Sequence, residues 1–189
     1  MGRTRTAPAP GTFGRDLVMA FASCAHYEAG YYTAYRRMAE ENPGLILHLG
    51  DYIYDGGVNT AAVRQHVGAE IVSLADYRRR YALYKSDPDL QAAHAAAPWL
   101  VVPDDHEVEN KYANMVRADS SPTLTAAQWT ARRTAAYRAY YENMPLRPAS
   151  APSGNGHGPS VVRVPPKSRS SWASRASSAC SAVYCPPSR

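Results

Sequence analysis

Apolar positions change period along this chain, and the changes mark its elements. Short apolar runs at Leu17–Ser23, Leu45–Leu49 and Pro98–Val102 read as buried strands. Between the first two, Tyr31, Ala34, Tyr35 and Met38 recur at helical spacing from Tyr31 to Glu41, and Asn42-Pro43-Gly44 stops that helix. Strand, helix and strand make one βαβ unit, which implies parallel strands and a right-handed crossover. Asp55-Gly56-Gly57 opens a polar loop to about Glu70. Ser73-Leu74-Ala75-Asp76 looks like a helix start, continued by Tyr77, Arg80, Tyr81 and Tyr84. Asp87 caps a further helix with Pro88 at its first position, holding Leu90, Ala93 and His94. Thr125-Ala126-Ala127-Gln128 has capping-box spacing and begins the longest helix. That helix runs to about Asn143 with Trp129, Arg133, Ala136, Tyr137, Tyr140 and Tyr141, and Met144-Pro145 ends it. The expected class is α/β.

The pattern tightens around Leu45–Tyr54. Its apolar strand meets Gly50, where the backbone can turn sharply, and then Asp51. In open α/β sheets, sites form beyond the carboxyl ends of strands. An Asp placed there offers a hard anionic oxygen to a cation. Tyr52 and Tyr54 alternate, so Tyr54 reaches the face that Tyr52 does not.

Composition and charge adjust this picture. The chain has 189 residues, 45% hydrophobic and 20% charged, which suits one domain with a core. No stretch is long and apolar enough to span a membrane. The formal charge of +5 belongs to the tail: up to Glu142 there are fifteen Lys and Arg against sixteen Asp and Glu. The balance therefore does not argue for nucleic-acid binding by the folded part. Residues 1–14 form a Pro-rich lead-in without the apolar region of a signal peptide. Residues 149–189 are dominated by Ser, Pro, Ala, Gly and Arg, a composition that does not offset its ordering entropy. They read as a disordered extension or, more sharply, as an out-of-frame continuation. Of three cysteines, Cys180 and Cys185 lie in the tail, so no disulfide framework is expected. Cys24 read alone is more often a buried small residue than a ligand.

Three strand ends now carry polar groups: Cys24 after the first, Asp51 and Tyr54 after the second, Asp105 and His106 after the third. In a parallel sheet these ends share one edge. A thiolate and a phenolate favour iron, while carboxylates also suit calcium or magnesium. Two metals roughly 3.5–4 Å apart clamp a phosphate and activate water, and a nearby His protonates the leaving alkoxide.

The sequence resembles the PhoD-like alkaline phosphatase/phosphodiesterases of the calcineurin-like metallophosphatase superfamily. The resemblance is carried by Phe21-Ala22-Ser23-Cys24, Leu47-His48-Leu49-Gly50-Asp51-Tyr52-Ile53-Tyr54, Leu74-Ala75-Asp76-Tyr77-Arg78 and Pro98-Trp99. Asp104-Asp105-His106-Glu107-Val108-Glu109-Asn110 and Tyr140-Tyr141-Glu142-Asn143-Met144-Pro145 complete it. It covers about Arg5 to Arg147. It implies a four-layer αββα sandwich, of which residues 15–148 would be the N-terminal half. It implies hydrolysis of phosphate monoesters and diesters at an Fe3+ and Ca2+ centre, with other divalent metals as alternatives, and export from the cytoplasm. By position, Cys24 and Tyr54 would bind iron, Asp51 would bridge the metals, Asp105 would be a further ligand and His106 the catalytic His. Asp104 is the alternative to Asp105. Arg64 and His66 lie in a loop that would touch substrate phosphate or simply face solvent. Pro103 stands where the family usually has Trp. The family's later Gly-Asp-x-His segment has no match, and His157, in a Gly-rich context, does not replace it. The expectation is therefore a truncated copy of weak or no activity, with a non-catalytic product carrying an incomplete metal site as the alternative.

Overall fold

The computed structural model describes residues 2–6, 9, 11, 16–117 and 123–146. The tail with His157, Cys180 and Cys185, and half of the lead-in, fall outside these residues. Met19–Ala22 (β1), Leu45–His48 (β2) and Trp99–Val101 (β3) form one parallel sheet in that order. Each strand is shorter than its apolar run, for local reasons. Cys24 turns the chain out of β1 in a left-handed conformation (φ 54°). Gly50 does the same after β2 (φ 103°). Pro98, which has no N–H to donate, stands just before β3.

Thr33–Glu40 (α1) links β1 to β2. Leu74–Lys85 (α2) and Pro88–Ala96 (α3) lie between β2 and β3. Ala126–Asn143 (α4) follows. The local caps form as their side chains require: Ser73 with Asp76 and Thr125 with Gln128 are reciprocal boxes, and Asp87 accepts from Asp89 and Leu90 N–H.

Strand alternation splits the sheet into two faces. Ala22, Ile46, His48 and Trp99 point inward and are buried. The helices cover this side: Tyr35 of α1 stacks on Trp99 at 6.2 Å, and His94 of α3 stacks on it at 3.9 Å. The core is rich in tyrosine, with Tyr35, Tyr52, Tyr77, Tyr81, Tyr84 and Tyr140 all buried beside Trp129. On the other face, Phe21, Leu47 and Leu100 are aligned across the three strands, and Met19, Leu49, Leu100 and Val102 are more than half exposed. Among the described residues there is one sheet with helices on one side. That is part of the expected sandwich.

Along α4, three positions of the expected periodic set, Arg133, Tyr137 and Tyr141, are half-buried. Trp129, Arg132, Ala136, Ala139 and Tyr140 are the buried positions. The inward stripe runs through 129, 132, 136 and 139/140, so a fully buried arginine stands where periodicity alone had favoured Arg133.

Candidate metal centre

The exit loops of the three strands meet at the carboxyl edge of the sheet. Cys24 N–H donates to Gly50 O at 3.1 Å, and Ala25 N–H to Asp51 O at 2.8 Å, which joins the first two loops. Gly50 has no substitute in this turn. Besides its positive φ, a Cβ there would lie 2.5 Å from Asp104 Cβ and 2.8 Å from Asp104 N. The third loop therefore packs directly on the turn that presents Asp51. Cys24 and Asp51 are both non-glycine residues in the left-handed region, at φ 54° and 55°. Such strain persists where the surroundings over-determine it.

What over-determines it is a carboxylate to which the sequence pattern assigned no role. Glu107, 1% exposed, accepts from Asp51 N–H at 3.2 Å, from Tyr52 N–H, and from Asp104 N–H at 2.7 Å. Burial pushes its pKa up to about 7 against the pull of those donors.

The donor atoms converge on Asp51. Cys24 Sγ lies 3.6 Å from Asp51 Oδ2, and Tyr54 Oη lies 3.5 Å from the same oxygen. His106 N–H reaches Asp51 Oδ1 at 3.3 Å. Ligand atoms of Asp51, Asp105 and His106 all lie within 4.8 Å of one another. Asp104 is not in that group; its N–H faces Glu107. A thiol and a phenol at 3.5–3.6 Å from one oxygen make weak hydrogen bonds. Donors about 2.0–2.3 Å from one shared ion sit roughly 3–3.6 Å apart, so this spacing and this sulfur–oxygen donor set fit a metal. Burial raises the Asp51 pKa, opposed by His106 and reinforced by Asp105 and Asp104.

Behind this cluster lies a second carboxylate, Asp55, 5% exposed. Its Oδ1 lies 2.7 Å from His106 Nδ1. That contact fixes the ring and leaves Nε2 as the nitrogen available to the site. Burial alone would lower the His106 pKa; Asp55, with Asp51 and Asp105, outweighs it and raises the pKa. Asp55 Oδ2 faces Arg132 Nη2 at 3.5 Å and Asn110 N–H at 3.3 Å. Arg132 Nη1 is 2.6 Å from both Glu109 Oε2 and Glu70 Oε1, and its Nε donates to Tyr77 Oη at 3.0 Å. Arg117 Nη2 reaches the same Glu109 Oε2 at 2.7 Å, so two arginines share that oxygen. Tyr84 Oη accepts from both Tyr27 and Tyr54 N–H at 3.2 Å, and Arg80 Nη1 donates to Tyr54 O and to Gly56 O. The backbone under Tyr54 is thus held from two sides.

Arg64 is not solvated. Its side chain is 9% exposed; Nη1 donates to Asp87 at 2.6 Å, Nε to Tyr27 O and Nη2 to Gly30 O, with the guanidinium over the Tyr27 ring at 3.8 Å. The solvent-facing expectation for this residue is corrected, because Asp87 at the start of α3 draws it inward. His66 is likewise buried: its ring nitrogens face Gly56 O at 3.1 Å and Tyr84 Oη at 3.0 Å. It forms with His26 and Glu28 a second group of closely placed ligand types. Glu28 Oε1 there accepts from Asn59 and His66 N–H, both at 2.8 Å, so hydrogen bonds within the protein already occupy this group.

Asp55, Glu107, Glu109 and Arg132 are the residues that sequence reasoning missed. A signal existed in His106-Glu107-Val108-Glu109, where two carboxylates flank a valine that is fully buried.

Comparisons with known proteins identify the family and the fold. The model of the PhoD-like phosphatase family matches residues 19–162. Alkaline phosphatase D of Bacillus subtilis (strain 168) is 54% identical over 159 residues, which are 82% of this chain and 27% of that protein. A solved chain described as the structure of PhoD superposes with a TM-score of 0.74 at 53% identity, over 81% of this chain and 30% of that one. The chain thus spans between a quarter and a third of the length of the relatives it matches.

Proposed function

The chain belongs to the PhoD-like phosphatase family, and on that premise we propose that its carboxyl-edge cluster serves metal-dependent hydrolysis of phosphate monoesters and diesters. The observation that carries the proposal is the convergence of Cys24, Tyr54 and His106 on the single carboxylate of Asp51. Cys24, Tyr54 and Asp51 would hold ferric iron, and Asp51 with Asp105 would hold calcium. When bound, these ions would neutralise the phosphate and make water acidic enough to attack at neutral pH.

The remaining work belongs to side chains. His106 is the proton donor: Asp55 holds Nδ1, so the Nε2 proton is the one directed to the leaving alkoxide. Against the lowering effect of burial, Asp55, with Asp51 and Asp105, raises the pKa of His106 and so favours its protonated form. Glu107 and the packed Gly50 turn hold Asp51 still while this happens. Arg64 in this arrangement is a brace between the first exit loop and α3, and phosphate recognition falls to other groups.

The test uses the full chain loaded with Fe3+ and Ca2+ and assayed on bis(p-nitrophenyl) phosphate and p-nitrophenyl phosphate, with bound metal counted in parallel. The expected result is turnover that falls by about 10²–10⁴ in His106→Ala with metal content retained. Metal uptake by a folded chain without turnover would overturn the enzyme reading in favour of a metal-binding, non-catalytic product.

A further inference from the structure

The ring of Tyr54 lies between two imidazoles. His26 stacks on it with centroids 4.2 Å apart and planes 16° apart. His106 stacks on it at 4.0 Å and 30°. Two rings at this distance cannot share one face of a third, so they occupy opposite faces and Tyr54 is the middle layer.

His26 is itself anchored. It stands two residues after Cys24, and its N–H donates to Cys24 O at 2.8 Å. The preceding Ala25 N–H donates to Asp51 O. Its Nε2 lies 3.8 Å from Glu28 Oε2, on a carboxylate that is buried and fixed by two backbone N–H groups. A tyrosine ring has a soft, roughly two-fold torsion about its Cβ–Cγ bond. A phenolate donates well to a metal only in certain planes, because overlap depends on the ring's orientation about the oxygen–metal direction. Two flanking rings at van der Waals contact remove that freedom. His106 supplies one of them but also has a proton to move, so the second wall falls to His26.

We propose that His26 is a positioning residue whose ring, packed on the face of Tyr54 opposite His106, sets the plane in which the Tyr54 phenolate meets the metal. The proposal rests on the reading of Tyr54 as a ferric ligand. It gives a role to a histidine that carries no assignment among the metal ligands or the proton donor.

Ferric nitrilotriacetate added to the full chain provides the test, read by the visible phenolate-to-iron charge-transfer band and by competition with free chelator. Folding of each variant is followed by circular dichroism. Tyr54→Phe is expected to abolish the band. His26→Ala is expected to shift and weaken it and to cost about tenfold to a hundredfold in ferric affinity. His26→Phe, which keeps a flat ring and removes both nitrogens, is expected to restore band and affinity. His26→Leu replaces the Ala variant if that one does not fold. A His26→Ala or His26→Leu chain with the band and affinity of the parent would overturn the proposal. So would a His26→Phe chain as impaired as Ala, since the effect would then belong to a nitrogen. Absence of the band in the parent would instead overturn the ligand reading, and is distinguished because no variant then changes the spectrum.

Discussion

The carboxyl edge of the sheet holds two clusters of charged side chains only one residue layer apart, and they are built to opposite rules. In front, Cys24, Tyr54 and His106 N–H approach Asp51 at 3.3–3.6 Å. Cys24, Tyr54, Asp105 and His106 are partly exposed. Among the described residues, no Lys or Arg forms an ion pair with Asp51, Asp104 or Asp105. Behind, Arg132 reaches Glu109 and Glu70 at 2.6 Å, Arg117 reaches Glu109 at 2.7 Å, and His106 reaches Asp55 at 2.7 Å. There, cations and carboxylates alternate in a nearly dry interior. The front gathers negative charge that His106 offsets only in part; in the back, arginines meet the carboxylates directly. A bound cation would complete the front, and the back braces the loops that present it.

The comparison is tested hardest at Arg132. Truncating one member of a buried ion network leaves its partners as unpaired charges, at about 3–5 kcal/mol. Arg132→Met should therefore destabilise the metal-free chain by about that amount in chemical denaturation. A loss under about 1 kcal/mol would mean that Glu109, Glu70 and Asp55 find water when Arg132 is gone, and that the back cluster is not dry. Glu107, which stands between the two clusters, gives the next effect, and it depends on pH. Its folded pKa of about 7 lies above the ordinary 4.5. A raised folded pKa contributes stability that is full below the unfolded value and lost as pH rises through the folded one. Relative to Glu107→Gln, which does not titrate, the parent should lose about 3 kcal/mol between pH 4.5 and pH 7. Parallel stability curves for the two proteins across that window would sink this assignment.

The front cluster was legible in the sequence and the back was not, for reasons of scale. Cys24, Asp51 and His106 each follow an apolar run, and parallel pairing of the runs does the rest. The helix caps were equally legible, because Ser73 with Asp76, Asp87 with Pro88, and Thr125 with Gln128 act within four residues. The back depends on contacts across long separations: Arg132 meets Asp55 across 77 positions. Nothing local distinguishes Arg132 from Arg133, yet one step along a helix turns a side chain by about 100°. Asp104-Asp105-His106-Glu107 had the composition of a solvated turn, and only the fold buries Glu107 at its end. The bare outer face is a third case. Met19, Phe21, Leu47 and Leu100 are as apolar as their inward neighbours, since strands of parallel sheets read as continuous apolar runs. Which side the helices cover was therefore not written in the strands.

Gly50 joins the two regions through backbone rather than charge. Gly50→Ala places a methyl 2.5 Å from Asp104 Cβ at a φ of 103°. The cost should be about 2 kcal/mol. It should be accompanied by weaker metal binding, because the Asp104–His106 loop must move to make room. Unchanged metal affinity in that variant would show that Asp105 and His106 do not depend on the turn for their placement.

Asp51→Asn should have the smallest effect on stability and is the most informative. Asn adopts the left-handed conformation at this position as readily as Asp. Its amide oxygen still accepts the His106 N–H, and the substitution at Oδ2 disturbs only the long approaches of Cys24 and Tyr54. Removing the charge also relieves repulsion from Asp104 and Asp105, which, with burial, raises the Asp51 pKa. The metal-free variant should keep its stability within about 1 kcal/mol of the parent. Its metal affinity should fall by more than the roughly hundredfold expected of a residue that only supports a ligand. The two readouts separate the clusters: a back residue costs folding, and a front residue costs metal. A metal-free Asp51→Asn chain as unstable as Arg132→Met would erase that division and make Asp51 part of the interior brace.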